Sequence, residues 1–217
     1  MHQERTFIAI KPEGIQRRFI GEIITKFEKK GLKLVAAKFT APSLELTEKH
    51  YTDDEAWIES SGNRSYQNYV DKGIDPGKTP RELALMTRQR CLDHFTGRTI
   101  FAMTWEGPHA VQTGRKIAGH TNPLVADNGS IRGDMSPESY EVSDNFDRTI
   151  LNIVHASGSV EEAEKEINLW FDKDEILDYK MIDEEIMIGK DWGKVDPSRQ
   201  QATSIGRSGH DESDKQK

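Results

Sequence analysis

Apolar and polar positions repeat along this chain with two periods, and the periods mark out elements. Thr6 to Ile10 (TFIAI) is a β-branched and aromatic run closed by Lys11-Pro12-Glu13-Gly14, which reads as a strand entering a turn. Across Gly21 to Lys30, Ile23, Ile24 and Phe27 recur at helical spacing, and Gly31 is the usual residue after a helix. Leu32 to Phe39 is a second strand, and Leu44 to Tyr51 a short helix. Residues 54 to 96 change character, with Gly, Pro, Asn and Asp scattered between Trp57 and Pro80. Within them Thr79-Pro80-Arg81-Glu82 combines a cap residue, proline at the first helical position and glutamate three after the cap. It predicts a helix with Leu85, Met86, Leu92 and Phe95 on its apolar side. Thr99 to Trp105 is a strand, Ala110 to Ala118 a helix, and Gly119 to Gly129 a loop. Thr149 to His155 (TILNIVH) is the last strand, and Ser159-Val160-Glu161-Glu162 reads as a capping box opening a helix to about Phe171.

The well-patterned elements thus run β-α-β and again β-α-β, which predicts an α+β fold: a ferredoxin-like (βαββαβ) antiparallel sheet covered by helices. No internal repeat is visible. From Asp196 to Lys217 only Ala202 and Ile205 are apolar, so this polar tail is expected to be disordered. No apolar run reaches the length of a membrane span and no signal peptide opens the chain, so no membrane association and a cytoplasmic location are expected. The lone cysteine, Cys91, supports neither an internal disulfide nor a multi-cysteine metal site. With 30 Lys and Arg against 37 Asp and Glu, the net charge of -7 excludes an overall basic nucleic-acid binder and any dedicated nucleic-acid surface.

Candidate chemistry gathers in two groups. His155 ends an apolar strand four residues before a helix cap, where the helix dipole disfavours protonation and keeps the imidazole nucleophilic. Glu166 flanks the stripe of Val160, Ala163, Ile167 and Trp170 on the next helix, and a carboxylate against packed surface needs a hydrogen-bonding partner. His155 and Ser157 are the nearest candidates. Such a carboxylate would fix the imidazole tautomer; a packed histidine beside a solvated glutamate fits the pattern equally. The second group is cationic: Lys11 ends the first strand, Arg115 lies on the helix after the third, and Arg132 follows the Gly-rich loop. Together they suit a phosphate chain. The other histidines have blander readings: His50 and His109 at polar helix edges, His94 on the amphipathic inserted helix, His120 in a loop. None has the spacing of a protein-ligated metal site.

These residues also carry a resemblance. Arg5 to Gln16 (RTFIAIKPEGIQ), Trp105-Glu106-Gly107, Thr113-Gly114-Arg115, Gly119 to Pro123 (GHTNP), Ile131 to Asp134 (IRGD) and Asn152 to Ser157 (NIVHAS) together resemble nucleoside diphosphate kinase, six motifs in family order. The resemblance implies that His155 takes the γ-phosphoryl group from a nucleoside triphosphate and gives it to a nucleoside diphosphate, a ping-pong reaction through phosphohistidine, with Glu166 orienting the ring. It implies phosphate contacts from Lys11, Tyr51, Arg115, Thr121 and Arg132, and ribose contacts from Asn152 and Lys11. Mg²⁺ is implied, held mainly by the nucleotide phosphates, with Asp53 near it through water. ATP or GTP and nucleoside diphosphates are the implied partners. So is a homo-oligomer, hexameric by resemblance, with dimers or tetramers open.

Departures from the family pattern are part of the same reading. Gly158 stands where many members carry an aspartate near Mg²⁺, and Arg18 where glycine is common. Residues 54–98 and 135–148 are longer than in compact members and are expected to be insertions in a domain spanning 1–195, ahead of the tail 196–217. The first of them replaces the hairpin that supplies the base-stacking aromatic, and Trp57 is the choice by position over Tyr66 and Tyr69. A nucleotide-binding regulatory or scaffold protein that has lost turnover is the alternative that Gly158 and the rebuilt base-binding segment leave open.

Overall fold

The computed structural model describes residues 4–52 and 54–189; the expected tail and Asp53 lie outside the described residues. Residues up to Asp178 form one compact unit, and Tyr179 begins a second, in which Glu184–Ile188 forms a short helix.

Four strands make the sheet of the first unit: β1 (Glu4–Ile10), β2 (Lys33–Thr40), β3 (Ile100–Gly107) and β4 (Val154–Ala156). Their order is β2-β3-β1-β4 and every pairing is antiparallel, as the ferredoxin-like reading requires. Alternation along β1 explains why it lies inside the sheet. Ile8 and Ile10 point to one face, against Ile23 and Phe27 of α2 (Ile20–Glu28), Ala110 and Ala118 of α6 (Ala110–Ala118), and Ile131 and Met135 of α7 (Ile131–Met135). Phe7 and Ala9 point to the other, against Ile167 and Trp170 of α9 (Val160–Trp170). Leu46 of α3 (Leu44–His50) also packs on this second face. All four β1 side chains are fully buried. Both layers follow from the period of two, because each face must be covered.

Local chemistry sets the helix boundaries. Gly31 adopts φ 81°, the left-handed turn that ends α2 cheaply only in glycine. Arg18 adopts φ 65° between α1 (Pro12–Gln16) and α2, so a non-glycine residue occupies the conformation that glycine serves elsewhere in the family pattern. The capping box read at Thr79 and Glu82 forms in full and opens α5 (Pro80–Phe95).

One segment left without an element is filled in, and two expectations are corrected. The segment between Trp57 and Pro80 carries α4 (Glu55–Val70), a 16-residue helix capped by Asp54, whose Oδ1 accepts the Trp57 N–H at 2.8 Å. Its Ser, Asn and Gly residues are poor helix formers on an exposed face, but α4 packs along α5 and tertiary contact overrides propensity. Gly62 allows the close crossing, since a Cβ there would lie 2.2 Å from the Pro80 carbonyl oxygen. The last strand is Val154–Ala156 rather than Thr149–His155, because Ile153 sits at φ 71° and breaks the extended run just before it. The box at Ser159 is half formed. Ser159 Oγ accepts the Glu162 N–H at 3.1 Å, while the Glu162 carboxylate takes the Gly158 N–H at 2.7 Å.

Candidate active site

Register places the imidazole. His155 pairs with Ala9 across β1 and β4 and therefore projects from the sheet face covered by α9. Phe7 lies beside it, with ring centroids 5.9 Å apart. Glu166, on the buried stripe of α9, comes up from below.

His155 Nε2–H donates to Glu166 Oε1 at 2.6 Å, and Ser157 Oγ–H donates to Glu166 Oε2 at 2.5 Å. Both partners named from the sequence are thus bound by one carboxylate. The Ser157 hydroxyl is itself tied to the β1 backbone, accepting the Phe7 N–H at 3.2 Å. This leaves Nδ1 of His155 with the lone pair. Burial holds the His155 pKa down to about 3, with Lys11, Arg132 and Arg115 pushing the same way and Glu162 opposing them. The ring is therefore neutral at pH 7. Burial and neighbouring cations supply that effect, where the sequence had suggested the α9 dipole. Glu166 is pushed up by burial, with His50 and its hydrogen bond from Ser157 opposing.

His50 is the residue that sequence reasoning missed. It stands at the C-terminal end of α3, where the pattern suggested a polar edge, yet its side chain is fully buried. Its ring packs edge-on against His155 with centroids 4.5 Å apart, and its Nδ1 accepts the Trp170 Nε1–H at 3.2 Å. Burial first, then His155, holds its pKa down to about 3. His50, His155 and Glu166 present ligand-type atoms within 4.8 Å of one another. His155 Nε2 is committed to Glu166 and His50 Nδ1 to Trp170, so two of the atoms that could face an ion are already engaged in hydrogen bonds. The signal available in the sequence was the dipeptide His50-Tyr51 after an amphipathic turn, which local spacing cannot distinguish from a solvated edge. His94, likewise read as an ordinary residue of an amphipathic helix, is buried and paired with Glu13.

The cations converge from three elements. Lys11 follows β1, is buried, and donates from Nζ to Asn152 Oδ1 at 2.7 Å. Burial lowers its pKa, while Glu13 opposes the shift. Arg132 on α7 is anchored to carbonyls, donating to Gly119 O at 2.8 Å and Val154 O at 2.9 Å. Burial and Arg115 push it down to about 10, so it stays charged at neutral pH. Asn152 joins the set to the Gly-rich loop by donating to Thr121 O at 2.9 Å. Tyr51 packs edge-on against Phe95, and burial raises its hydroxyl pKa well above the ordinary value.

Lys11, Tyr51, Arg115, Thr121, Arg132, Asn152 and His155 all line one cleft of about 1050 Å³. Trp57 lines the same cleft from α4, and Tyr69 does too, donating its hydroxyl to Asp144 of α8 (Tyr140–Asn145) at 2.7 Å. At Gly158 a Cβ would fall 2.5 Å from Glu162 Oε2 and 3.9 Å from Arg115 Nη1. The Glu162 carboxylate thus fills the space of the missing side chain. Such a cleft, with a neutral imidazole on its floor and buried cations around it, can bind a polyphosphate and present a nitrogen lone pair to it.

Comparison with known proteins agrees with this geometry. Residues 4–65 and 87–176 match the family model described as nucleoside diphosphate kinase. A nucleoside diphosphate kinase of Pyrobaculum aerophilum is 38% identical over 183 residues, covering 82% of this chain and 100% of that protein. A nucleoside diphosphate kinase B of Bos taurus is 40% identical over 179 residues, covering 82% and 93%. Among solved structures, an NDP kinase from Pyrobaculum aerophilum aligns with a TM-score of 0.78 at 36% identity, over 82% of this chain and 100% of that one. A transition-state mimic of the Borrelia burgdorferi nucleoside-diphosphate kinase with bound vanadate and ADP aligns at 0.70 and 30% identity, over 86% and 98%. No described helix is long and apolar enough to cross a membrane. With the antiparallel sheet, the cleft and these likenesses in agreement, the chain belongs to the nucleoside diphosphate kinase family, a family of phosphotransferases.

Proposed function

We propose that His155 Nδ1 carries the phosphoryl group in this chain's nucleoside diphosphate kinase reaction. The lone pair of Nδ1 attacks the γ-phosphorus of a nucleoside triphosphate such as ATP or GTP. The N–P bond forms as the bond to the bridging oxygen breaks, and the nucleoside diphosphate leaves with that electron pair. A second nucleoside diphosphate then takes the group by the reverse of these steps. The observation that carries the reading is the 2.6 Å bond from His155 Nε2–H to Glu166, which directs the lone pair to the other nitrogen. Ser157 holds the second oxygen of Glu166, so the carboxylate cannot rotate away.

In this reading Lys11, Arg115 and Arg132 receive the phosphates, Thr121 and Tyr51 complete their surroundings, Asn152 with Lys11 meets the ribose, and Trp57 stacks on the base. Positioning and charge neutralisation are what phosphoryl transfer chiefly requires of a protein. Mg²⁺ would travel with the nucleotide and neutralise phosphate charge. The residues fit such an ion: an anionic Glu162 stands among the phosphate-binding cations, where it would repel a bare polyphosphate and attract one carrying a divalent cation. Asp53 is retained as a water-mediated contact on resemblance alone. Homo-oligomerisation, hexameric by resemblance, is supported by exposed Phe39, Leu124, Val125 and Phe146, and sedimentation distinguishes it from a dimer or tetramer.

The test is incubation with γ-labelled ATP. Acid-labile, base-stable label that GDP discharges, and that His155→Ala abolishes, is expected; intact protein that takes no label would overturn the reading.

A further inference from the structure

Three residues upstream of the catalytic strand's end, the backbone does something costly. Asn152-Ile153-Val154 leads into β4, and Ile153, β-branched and fully buried, lies at φ 71°. A residue of this kind holds a left-handed conformation only where its surroundings impose it. Here both peptide groups of Ile153 are held by the segment after β1. Lys11 N–H donates to Ile153 O at 2.8 Å, and Ile153 N–H donates to Glu13 Oε1 at 3.0 Å. Gly14 allows the two segments to touch, since a Cβ at that position would lie 3.1 Å from Ile153 O.

Glu13 is buried, and a buried carboxylate with one oxygen on a backbone N–H needs a partner for the other. That partner is His94, from the last turn of α5, whose Nε2–H donates to Glu13 Oε2 at 2.8 Å. The groups that face Glu13 are His94 and Lys11; both, with its hydrogen bonds, hold its carboxyl below the ordinary range against the opposing effect of burial. Neither Glu13 nor His94 lines the cleft, so neither meets the nucleotide. The connection runs instead from α5 through Glu13 into the peptide that precedes His155 by two residues.

We infer that the buried Glu13–His94 pair is a positioning device for the phosphoryl-accepting imidazole: Glu13 holds the Ile153 turn that sets where β4 begins, and His94 holds Glu13 from the hairpin helix. The inference rests on the proposed role of His155. It also gives α5 a task in the chemistry beyond walling the cleft, since loss of a contact on that helix shifts the nucleophile without touching substrate. Small displacements of a reacting group cost rate steeply.

The measurement is the rate of phosphoenzyme formation at saturating Mg-ATP in rapid mixing, with ADP affinity by calorimetry and melting temperature alongside. Glu13→Gln and His94→Leu are each expected to slow phosphorylation roughly tenfold or more, with ADP affinity held within about twofold. The double variant is expected to be no slower than Glu13→Gln alone, because the two residues act through one contact. His94→Gln, which keeps a donor, is expected to recover most of the rate. Lower melting temperatures with a wild-type phosphorylation rate in the folded protein would overturn the inference and leave the pair structural. If Glu13→Gln or His94→Leu does not fold, Glu13→Asp is the milder probe. It keeps the charge and withdraws it by one methylene; slower phosphorylation supports the inference, and an unchanged rate overturns it. A wild-type protein that takes no label overturns the role of His155 instead, so the two failures are distinguishable.

Discussion

The sheet and helix α4 are held to the molecule by different forces. In β1, Phe7, Ile8, Ala9 and Ile10 are fully buried between two helical layers, and Phe7 stacks on Trp170 with centroids 5.4 Å apart. On α4 only Ile58 and Gly62 are buried. α5 buries Leu83, Ala84, Leu92 and Phe95, the last in the cluster that holds Phe7, and polar contacts complete the attachment of the pair: Tyr69 of α4 to Asp144, Arg90 of α5 to Asp144 at 2.8 Å and Asp147 at 2.7 Å, and His94 to Glu13. The imidazole, its carboxylate and Lys11 are thereby built on the apolar part, while the wall bearing Trp57 is built on the ionic part. On the proposed reading the first part bears the nucleophile, which gains from rigidity, and the second bears the base, which gains from looser, salt-sensitive attachment.

The contrast is broken most severely at the core. Phe7→Ala is expected to lower stability by about 3–5 kcal/mol, read by chemical denaturation, because it opens a cavity where β1, α9 and the His155 ring meet. Glu166→Gln leaves the sheet folded but removes the charged acceptor that fixes the His155 tautomer. Phosphorylation is expected to fall by roughly 10² or more, and an unchanged rate would refute the role of the 2.6 Å bond. Trp57→Ala is expected to weaken nucleotide binding by about 1–3 kcal/mol across all bases, with the chemical step at saturation preserved. Arg90→Ala removes the charge that holds Asp144 and Asp147, and is expected to cost about 1–3 kcal/mol. Hydrogen exchange should then rise in α4 and α5 before the sheet responds. Arg81→Ala breaks the exposed pair with Glu55, and no measurable change in melting temperature is expected.

Acid sharpens the comparison. His50 and His155 have folded pKa values near 3, below their unfolded values near 6.5. Between these limits the unfolded chain binds more protons, so stability falls as pH drops through that window. Glu13, held low in the folded state, adds to the loss at acid pH; Glu166, held high, runs the other way. Phosphorylation, by contrast, should show no histidine titration near pH 6.5, because Nδ1 keeps its lone pair throughout. A half-maximal rate at that pH would contradict the burial of His155.

Much of this was legible along the chain. The apolar run of Thr6 to Ile10, the capping box at Thr79 and the stripe of Ala163, Ile167 and Trp170 beside Glu166 each rest on contacts within a few residues, and each appears as read, although Val160 at the head of that stripe is exposed. The family motifs brought Lys11, Tyr51, Arg115, Thr121, Arg132, Asn152 and His155 to one cleft. Helix α4 was not legible, because its Ser, Asn and Gly positions oppose helix locally and only packing on α5 reverses the balance. The late start of the last strand was hidden too, since TILNIVH is a fine strand sequence until Glu13 and Lys11 take hold of Ile153.

The two hidden histidines mark the boundary between what local order and assembled order decide. Composition, period and capping determine which segments become strands and helices, because those energies depend on near neighbours. Whether His50 lies in water or against His155, and whether His94 meets solvent or Glu13, depends on groups 105 and 81 positions away that only the closed fold brings within reach. Burial then decides their charge, because desolvation acts through everything packed around a group rather than through its neighbours along the chain.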